Sequence, residues 1–247
     1  MHISGTGRPD NTGGKQRKSE TGTPVAIIDI TSSGATSDGK PALTWGGARN
    51  RGDRTSEGLT LKQANGIIEA AQFAGAIGLP LNRHMTVHWE HAGVTDSRAA
   101  KAIGAFLTLA RDWLRKQGER FASIWVRENG DGKGSHAHIL MHVRPEMARA
   151  FTGNQRRWIR HVSGNPYRAG TIHTARIGGT LRAASSAPDH YAANLWAVVS
   201  YIAKSAAPAA IALLSLTKPH EPGGQVIGKR CGWSQNIGRK ARPAAIK

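Results

Sequence analysis

Cysteine, acidic side chains and long apolar runs are all scarce in this chain of 247 residues. The single cysteine, Cys231, excludes an internal disulfide and a zinc site built from several thiolates. Because no apolar run is long enough to cross a bilayer, we predict no membrane association. The first residues lack the apolar segment of a secretion signal, so the expected compartment is a reducing cytoplasm, most simply a bacterial one.

The shortage of negative charge is the first indication of function. Sixteen acidic residues stand against 34 lysines and arginines, and the formal net charge is +18. Such an excess favours phosphate-bearing partners, because basic side chains release the counterions bound to nucleic acid. Charge alone is equally typical of a ribosomal or chromatin component. A nucleotide-driven motor is not expected, because the Gly-Gly-Lys segment at 13–15 lacks the spacing of a phosphate-binding loop.

Composition divides the chain into three regions. Residues 1–57 are rich in Gly, Ser, Thr and charge, and we expect them to be flexible or loosely structured apart from a short strand at 25–30. Residues 58–218 carry most of the periodic apolar pattern and are predicted to form the folded domain. Residues 219–247 are Gly-rich and basic, and are predicted to form a tail.

The periodicity of the middle region predicts an α+β fold. Strands are predicted at 84–90, 121–128, 136–143 and 171–177, and helices at 59–77, 95–117, 145–161 and 189–205. From residue 84 to 177 the order is strand, helix, strand, strand, helix, strand, which is that of a split βαβ (ferredoxin-like) unit. We therefore expect a central antiparallel sheet with helices packed on one face and an open opposite face.

A metal site is predicted where two strands form a hairpin. His136 and His138 are two residues apart on a strand, so their side chains point the same way. If residues 129–135 form the hairpin loop, Glu128 lies opposite His136 and diagonal to His138. Two imidazoles and a carboxylate leave coordination positions open for water and phosphate, which favours Mg²⁺ or Mn²⁺; a catalytic zinc is chemically feasible too.

The last predicted helix offers a nucleophile. Tyr201 falls on its polar stripe and Lys204 lies three residues later on the same stripe. A phenol with a pKa near 10 is a poor nucleophile at neutral pH and needs a neighbouring cation. Tyr191 falls on the apolar stripe, and Tyr167 falls in a loop. Tyr201 is therefore the candidate nucleophile, although packing at the sheet edge would also explain it.

Glu128, His136-Ala137-His138 and Tyr201-Ile202-Ala203-Lys204 together resemble the HUH endonucleases, especially the replication initiators of rolling-circle plasmids and phages. The resemblance spans about residues 80–205. It implies that His136, His138 and Glu128 bind one divalent cation, that Tyr201 becomes linked to a 5′ phosphate, and that Lys204 assists it. It also implies single-stranded or hairpin DNA at a replication origin as substrate, with a host helicase and polymerase as partners.

Further DNA contacts are predicted outside the motifs. Thr86 and His88 lie on the polar face of the strand at 84–90, where His84, His88 and His91 would otherwise be solvated or hydrogen-bonded. Two segments combine cations with tryptophan, a pattern that suits phosphate contact and base stacking: Arg156, Arg157 and Arg160 with Trp158, and Lys229 and Arg230 with Trp233. Two alternatives remain open at this stage, a basic nucleic-acid-binding protein without chemistry and an HUH relaxase or transposase.

Overall fold

The computed structural model describes residues 53–242, which fall within one compact unit. The predicted strand at 25–30 lies outside the described residues. The elements in chain order are β1 Thr55–Ser56, α1 Leu61–Ala76, β2 Arg83–His88, α2 Asp96–Lys116, β3 Ser123–Gly130, β4 Gly134–Met141, α3 Ala148–Ser163, β5 Ile172–Arg176, α4 Ala183–Ser186, α5 Pro188–Ile202, α6 Pro208–Leu213, β6 Val226–Ile227 and β7 Cys231–Trp233. None of these helices has the length and apolar character needed to cross a bilayer.

Five strands form one antiparallel sheet in the order β5-β2-β4-β3-β7. The first four carry the split βαβ arrangement, because β2 and β3 are joined by α2, β4 and β5 are joined by α3, and β3 and β4 form a hairpin. The predicted α+β class with a central antiparallel sheet is therefore confirmed.

Helices α2 and α3 cover one face of the sheet. Side chains alternate along β2, so that Met85 and Val87 point into this layer while the intervening residues point to the other face. On the helices, Phe106 and Trp158 complete the layer with their rings 5.9 Å apart in an edge-to-face contact. Trp158 is therefore a core side chain, and its predicted stacking on DNA bases is wrong.

The sequence pattern predicted that the opposite face of the sheet is open, but helices cover part of it. Ile124, Val126 and Leu140 make one half of that face apolar, and α1 and α5 pack on this half. The other half, at the end where β3 leads into β4, carries the polar side chains. The second helical layer therefore forms one wall of the polar half and buries side chains that an open sheet would expose.

The C-terminal segment is part of the domain rather than a tail. Strand β7 pairs with β3 through Val126 and Cys231, and β6 pairs with β1. Gly66 on α1 allows the ring of Trp233 to approach so closely that a Cβ atom at residue 66 would lie 2.6 Å from it. The predicted boundary at 219 is therefore wrong for the described part of the segment, and β1 lies inside the region that was predicted to be loose.

Two buried arginines fix this segment to β3. Arg127 donates to the backbone oxygens of Ile227 and Lys229 at 2.9 and 3.1 Å and forms an ion pair with Asp96 at 2.5 Å. The guanidinium of Arg230 donates to backbone oxygens, including that of Gly224 at 2.6 Å, and both side chains are almost fully buried. Buried carbonyls need such donors, so these arginines hold the C-terminal strands in place.

Candidate metal centre

The β3–β4 hairpin brings Glu128, His136 and His138 together. Glu128 pairs with His136 and Val126 pairs with His138, as the hairpin prediction required. The hairpin itself is tighter than predicted, because Asn129–Ser135 and Gly130–Gly134 also pair and the turn is confined to residues 131–133. All three side chains are buried, and their ligand atoms lie within 4.8 Å of one another. These three residues could hold a metal ion.

The donor atoms converge on one point. Oε2 of Glu128 lies 3.4 Å from Nε2 of His136 and 3.8 Å from Nε2 of His138. Oε1 of Glu128 and Nε2 of His138 are buried and have no hydrogen-bond partner within the described part of the chain. Buried polar atoms without partners are costly, and a cation at the point where these donor atoms converge would satisfy Nε2 of His138.

The outer ring nitrogens set the orientation of both imidazoles. Nδ1 of His136 donates to the carbonyl oxygen of Gly134 at 2.9 Å, because a carbonyl can only accept. In the neutral ring, Nε2 is then left as a lone pair directed at Glu128. Nδ1 of His138 lies 3.2 Å from both Nε2 of His84 and Oγ1 of Thr86. Partners of this kind hold metal-binding histidines in the required tautomer.

Burial and neighbouring charges keep the Glu128 carboxylate charged and favour the neutral form of the His138 imidazole. Burial alone raises the pKa of Glu128, but its contacts with His136, His138 and Lys204 outweigh burial and hold that pKa well below its usual range. Burial lowers the pKa of His138, and Glu128 offsets this only in part. Burial, together with repulsion from His138 and His173, lowers the pKa of His84 to about 4. A charged carboxylate and neutral imidazoles are the forms that bind metal.

Tyr201 lies beside the triad. Its ring is edge-on to that of His138, with the ring centroids 5.1 Å apart, and 6.2 Å from the ring of His84. The side chain is half-buried, near the C-terminal end of α5. Tyr201 is thus brought from a helix 63 positions beyond His138 into contact with the ring of a candidate metal ligand.

The other tyrosines are placed away from the triad. The hydroxyl of buried Tyr191 donates to the carbonyl oxygen of Leu81 at 2.9 Å, and burial raises its pKa well above the usual value. Tyr167 packs at the α2–α3 layer with Arg156 over its ring at 5.3 Å. The third tyrosine, Tyr201, is the one that contacts the triad.

Lys204 is placed differently from the sequence prediction. Helix α5 ends at Ile202, so Lys204 leaves the polar stripe and turns inward. Its Nζ lies 2.7 Å from Oε2 of Glu128 and 5.2 Å from the ring centroid of Tyr201. The predicted cation next to the phenol is therefore hydrogen-bonded to the carboxylate of the candidate metal centre.

Thr86 and His88 lie at the same polar half of the sheet. They pair with His138 and His136 across the β2–β4 ladder, and the rings of His88 and His136 are stacked 5.5 Å apart. Both side chains are only partly buried, so a bound strand could reach them. Their predicted contact with DNA stays a prediction.

The predicted basic segments have contrasting positions. Arg156, Arg157 and Arg160 are exposed on α3, and Lys229 is exposed with its Nζ 5.5 Å from the ring of Trp125. Arg230 is only 2% exposed and is bonded to backbone within the protein. The predicted DNA contact of Arg230 is therefore wrong, because its guanidinium is buried and donates its hydrogen bonds to backbone oxygens of the protein.

Three groups at the site escaped the sequence reasoning. His84 contacts His138, and the carbonyl oxygen of Gly134 accepts the hydrogen bond from His136. Glu221 lies 3.5 Å from Nζ of Lys204. His84 shares the parity of Thr86 and His88, and that parity is a sequence signal that could have selected it. The other two contacts have no signal in the sequence.

Comparisons with protein-family models, curated proteins and solved structures give no match. The resemblance to HUH endonucleases therefore depends on the named motif residues.

Proposed function

We propose that this chain is a metal-dependent endonuclease that nicks single-stranded DNA through a covalent bond to Tyr201. The observation that carries the proposal is the meeting of three metal-ligating side chains and Tyr201 at one end of the sheet. The net charge of +18 supports a phosphate-bearing substrate.

The reaction we propose is a transesterification. Oη of Tyr201 attacks the scissile phosphorus, the new bond joins tyrosine to the 5′ phosphate, and the bond from phosphorus to the 3′ oxygen breaks. The phenol proton passes to solvent, and the leaving 3′ oxygen takes a proton from solvent. The phosphotyrosine keeps the energy of the broken bond for later rejoining.

Glu128, His136 and His138 would hold a divalent cation, which supplies Lewis-acid polarisation of the scissile phosphate. Mg²⁺ or Mn²⁺ is our choice for a phosphate substrate. His84 and Thr86 keep the His138 ring oriented, and Gly134 does the same for His136. The half-buried ring of Tyr201 packs against His138, and this contact limits the directions from which Oη reaches a phosphate.

The exposed arginines of α3 are our candidates for holding the flanking strand. Arg157 and Arg160 line a cavity with His161 and the loop at 164–167. This loop contacts the segment after β2, where Asn165 donates to the carbonyl oxygen of Ala92, so the cavity lies at the same end of the sheet as the triad, on the side that α3 covers. Among residues 53–242, no carboxylate lies within 4.0 Å of these arginines, which leaves their charge for phosphate.

The test of the chemistry is covalent adduct formation. The full chain is incubated with Mn²⁺ and single-stranded oligonucleotides from candidate origins, and products are separated on a denaturing gel. We expect a protein–DNA adduct that EDTA abolishes and that Tyr201→Phe lacks, whereas Tyr167→Phe retains it. An adduct that persists in Tyr201→Phe, or no adduct with any divalent cation and any strand, contradicts the proposal.

The test of the strand-holding surface is the salt dependence of binding. Arg157→Ala/Arg160→Ala should bind a single strand about tenfold more weakly and lower the salt slope by roughly 1 to 1.5. Arg111→Ala/Arg115→Ala removes the same charge from exposed positions of α2, where both arginines face Asp112, and serves as the control. Equal effects of the two double substitutions would show that the α3 arginines contribute only general electrostatic attraction and form no specific strand-binding surface.

A role in starting rolling-circle replication rests on the resemblance to the replication initiators. It predicts that cleavage is specific for a replication origin presented as a single strand or hairpin. It also predicts dependence on a host helicase and polymerase. Preference for a transfer origin or a transposon end would instead assign the same chemistry to a relaxase or transposase.

A further inference from the structure

Lys204 is a buried cation inside the candidate metal centre. Its side chain is 4% exposed, and its Nζ donates to Oε2 of Glu128 at 2.7 Å. Lysine is almost never fully buried unless it is paired, and here its closest partner is a carboxylate that the metal also needs. Its second acidic neighbour, Glu221, is more distant at 3.5 Å and is largely exposed.

The charges of the site balance without a metal. Glu128 carries the single formal negative charge of the triad when both imidazoles are neutral. The two nearby guanidiniums are engaged elsewhere, since Arg127 pairs with Asp96 and Arg230 donates to backbone oxygens. Lys204 is therefore the cation in direct contact with Glu128.

We propose that Lys204 is a built-in counter-ion with which a divalent metal must compete for Glu128, an inference that rests on the proposed metal centre. Lys204 is a positioning residue in this role, since it acts on the metal through the carboxylate. It holds Glu128 in the ligand position and keeps the metal-free protein folded. It also weakens metal binding, because its charge repels the incoming cation and its hydrogen bond occupies a ligand oxygen.

Removing the charge of Lys204 affects the two states in opposite ways. In the metal-free protein, Glu128 becomes a buried charge without a direct cationic partner, which destabilises the fold. In the metal-bound protein, repulsion between two cations a few ångströms apart is removed. Both effects strengthen metal binding, so the sign of the predicted change does not depend on which is larger.

The experiment is calorimetric titration of the full chain with Mn²⁺ at pH 8. We compare wild type with Lys204→Met, which keeps the length and apolar stem, and with Lys204→Arg, which keeps the charge. Lys62→Met on the exposed face of α1 is the matched control. Lys204→Met should bind Mn²⁺ at least about tenfold more tightly, while Lys204→Arg and Lys62→Met should stay within about threefold of wild type.

Thermal melts in EDTA and in Mn²⁺ give a second readout. Lys204→Met should melt below wild type in EDTA and recover in Mn²⁺, so that the metal stabilises this variant more than wild type. If Lys204→Met fails to fold in EDTA, folding that Mn²⁺ restores supports the inference. Failure of both Lys204→Met and Lys204→Gln to fold with Mn²⁺ overturns it, because Lys204 would then be indispensable to the bound state.

The outcomes separate this inference from the proposed function. Equal or weaker Mn²⁺ binding by a folded Lys204→Met, with normal binding by wild type, overturns the counter-ion role and leaves the metal centre standing. Absence of binding by wild type to Mn²⁺, Mg²⁺ and Zn²⁺ removes the metal centre itself. Loss of the DNA adduct with metal binding intact affects only the proposed chemistry.

Discussion

Oε2 of Glu128 and Nε2 of His136 lie 3.4 Å apart on paired strands, and both atoms are acceptors when the neutral His136 ring donates its one N–H hydrogen, on Nδ1, to the carbonyl oxygen of Gly134. Two buried acceptors facing each other repel unless a proton or a cation lies between them. Nε2 of His138 completes the set at 3.8 Å from the same oxygen. This arrangement gives the metal centre its most direct test.

Replacing Glu128 or His136 should strongly weaken metal binding. We expect Glu128→Gln and His136→Ala to bind Mn²⁺ more than about 100-fold more weakly, since each removes a ligand from a set of three. Titration calorimetry measures the change. His190→Ala removes a histidine from the exposed side of α5 and should bind as wild type does. Unchanged affinity in Glu128→Gln would show that the carboxylate is not a ligand.

Acid should destabilise the metal-free protein through His84. Its pKa is about 4 in the folded chain, against an ordinary value of about 6.5 in the unfolded chain. Between these values the unfolded chain binds a proton that the folded chain does not. The contribution of His84 to stability is therefore present above about pH 6.5 and is lost as the pH falls toward 4.

Urea denaturation in EDTA at several pH values checks this contribution. The free energy of unfolding should fall by roughly 1–3 kcal/mol across that window, and His84→Asn should reduce the fall. The buried His138 has a lowered pKa as well, so part of the slope should remain. His190→Asn should keep the full wild-type slope. A slope that is identical in His84→Asn and wild type would rule out this role for His84.

Arg230 should matter for stability rather than for DNA binding. Arg230→Ala leaves buried oxygens of Ser56, Gly223 and Gly224 without their donor, and should cost about 3 kcal/mol or more in urea denaturation. Arg230→Lys should restore little of the lost stability, because one ammonium group cannot make the several hydrogen bonds of a planar guanidinium. Arg239→Ala, an exposed position in the same segment, should be nearly neutral. A loss below about 1 kcal/mol for Arg230→Ala would contradict the structural role.

Cys231 should be unreactive in the folded protein. Burial raises the pKa of its thiol to about 11, since Lys229 and Arg230 offset burial only in part. At pH 8 only about one thiol in a thousand is then ionised, and the sulfur is also shielded from reagent. Labelling with a chromogenic disulfide should be slow in the native state and fast in guanidinium chloride. The chain has no other cysteine, so rapid native labelling would be unambiguous evidence against this placement.

Local geometry explains why the hairpin could be predicted so closely. Alternation of period two and the short connection between two strands fix which side chains meet, so Glu128 had to fall opposite His136 once the hairpin formed. The same alternation predicted the strand at 84–90 and put Thr86 and His88 on one face of it. These relations depend on neighbours in the sequence, and no other part of the chain is needed to derive them.

Long-range packing decided what the sequence pattern missed. Lys204 meets Glu128 across 76 positions because α5 ends at Ile202 and the chain then turns inward. Arg230 is buried because the C-terminal segment adds a strand to β3 rather than remaining a basic tail. Helical and strand periodicity give the faces of an element but not the partner that covers each face.

The sequence by itself determined the α+β class, the hairpin register and the grouping of Glu128, His136 and His138, because each follows from local backbone geometry. The tertiary structure alone decided that Tyr201 contacts His138 and that Lys204 neutralises Glu128. It also decided that α1 and α5 cover the apolar half of the sheet face whose other half carries the polar side chains. Burial is a property of the whole assembled domain, and burial is what pairs Lys204 with Glu128 away from solvent.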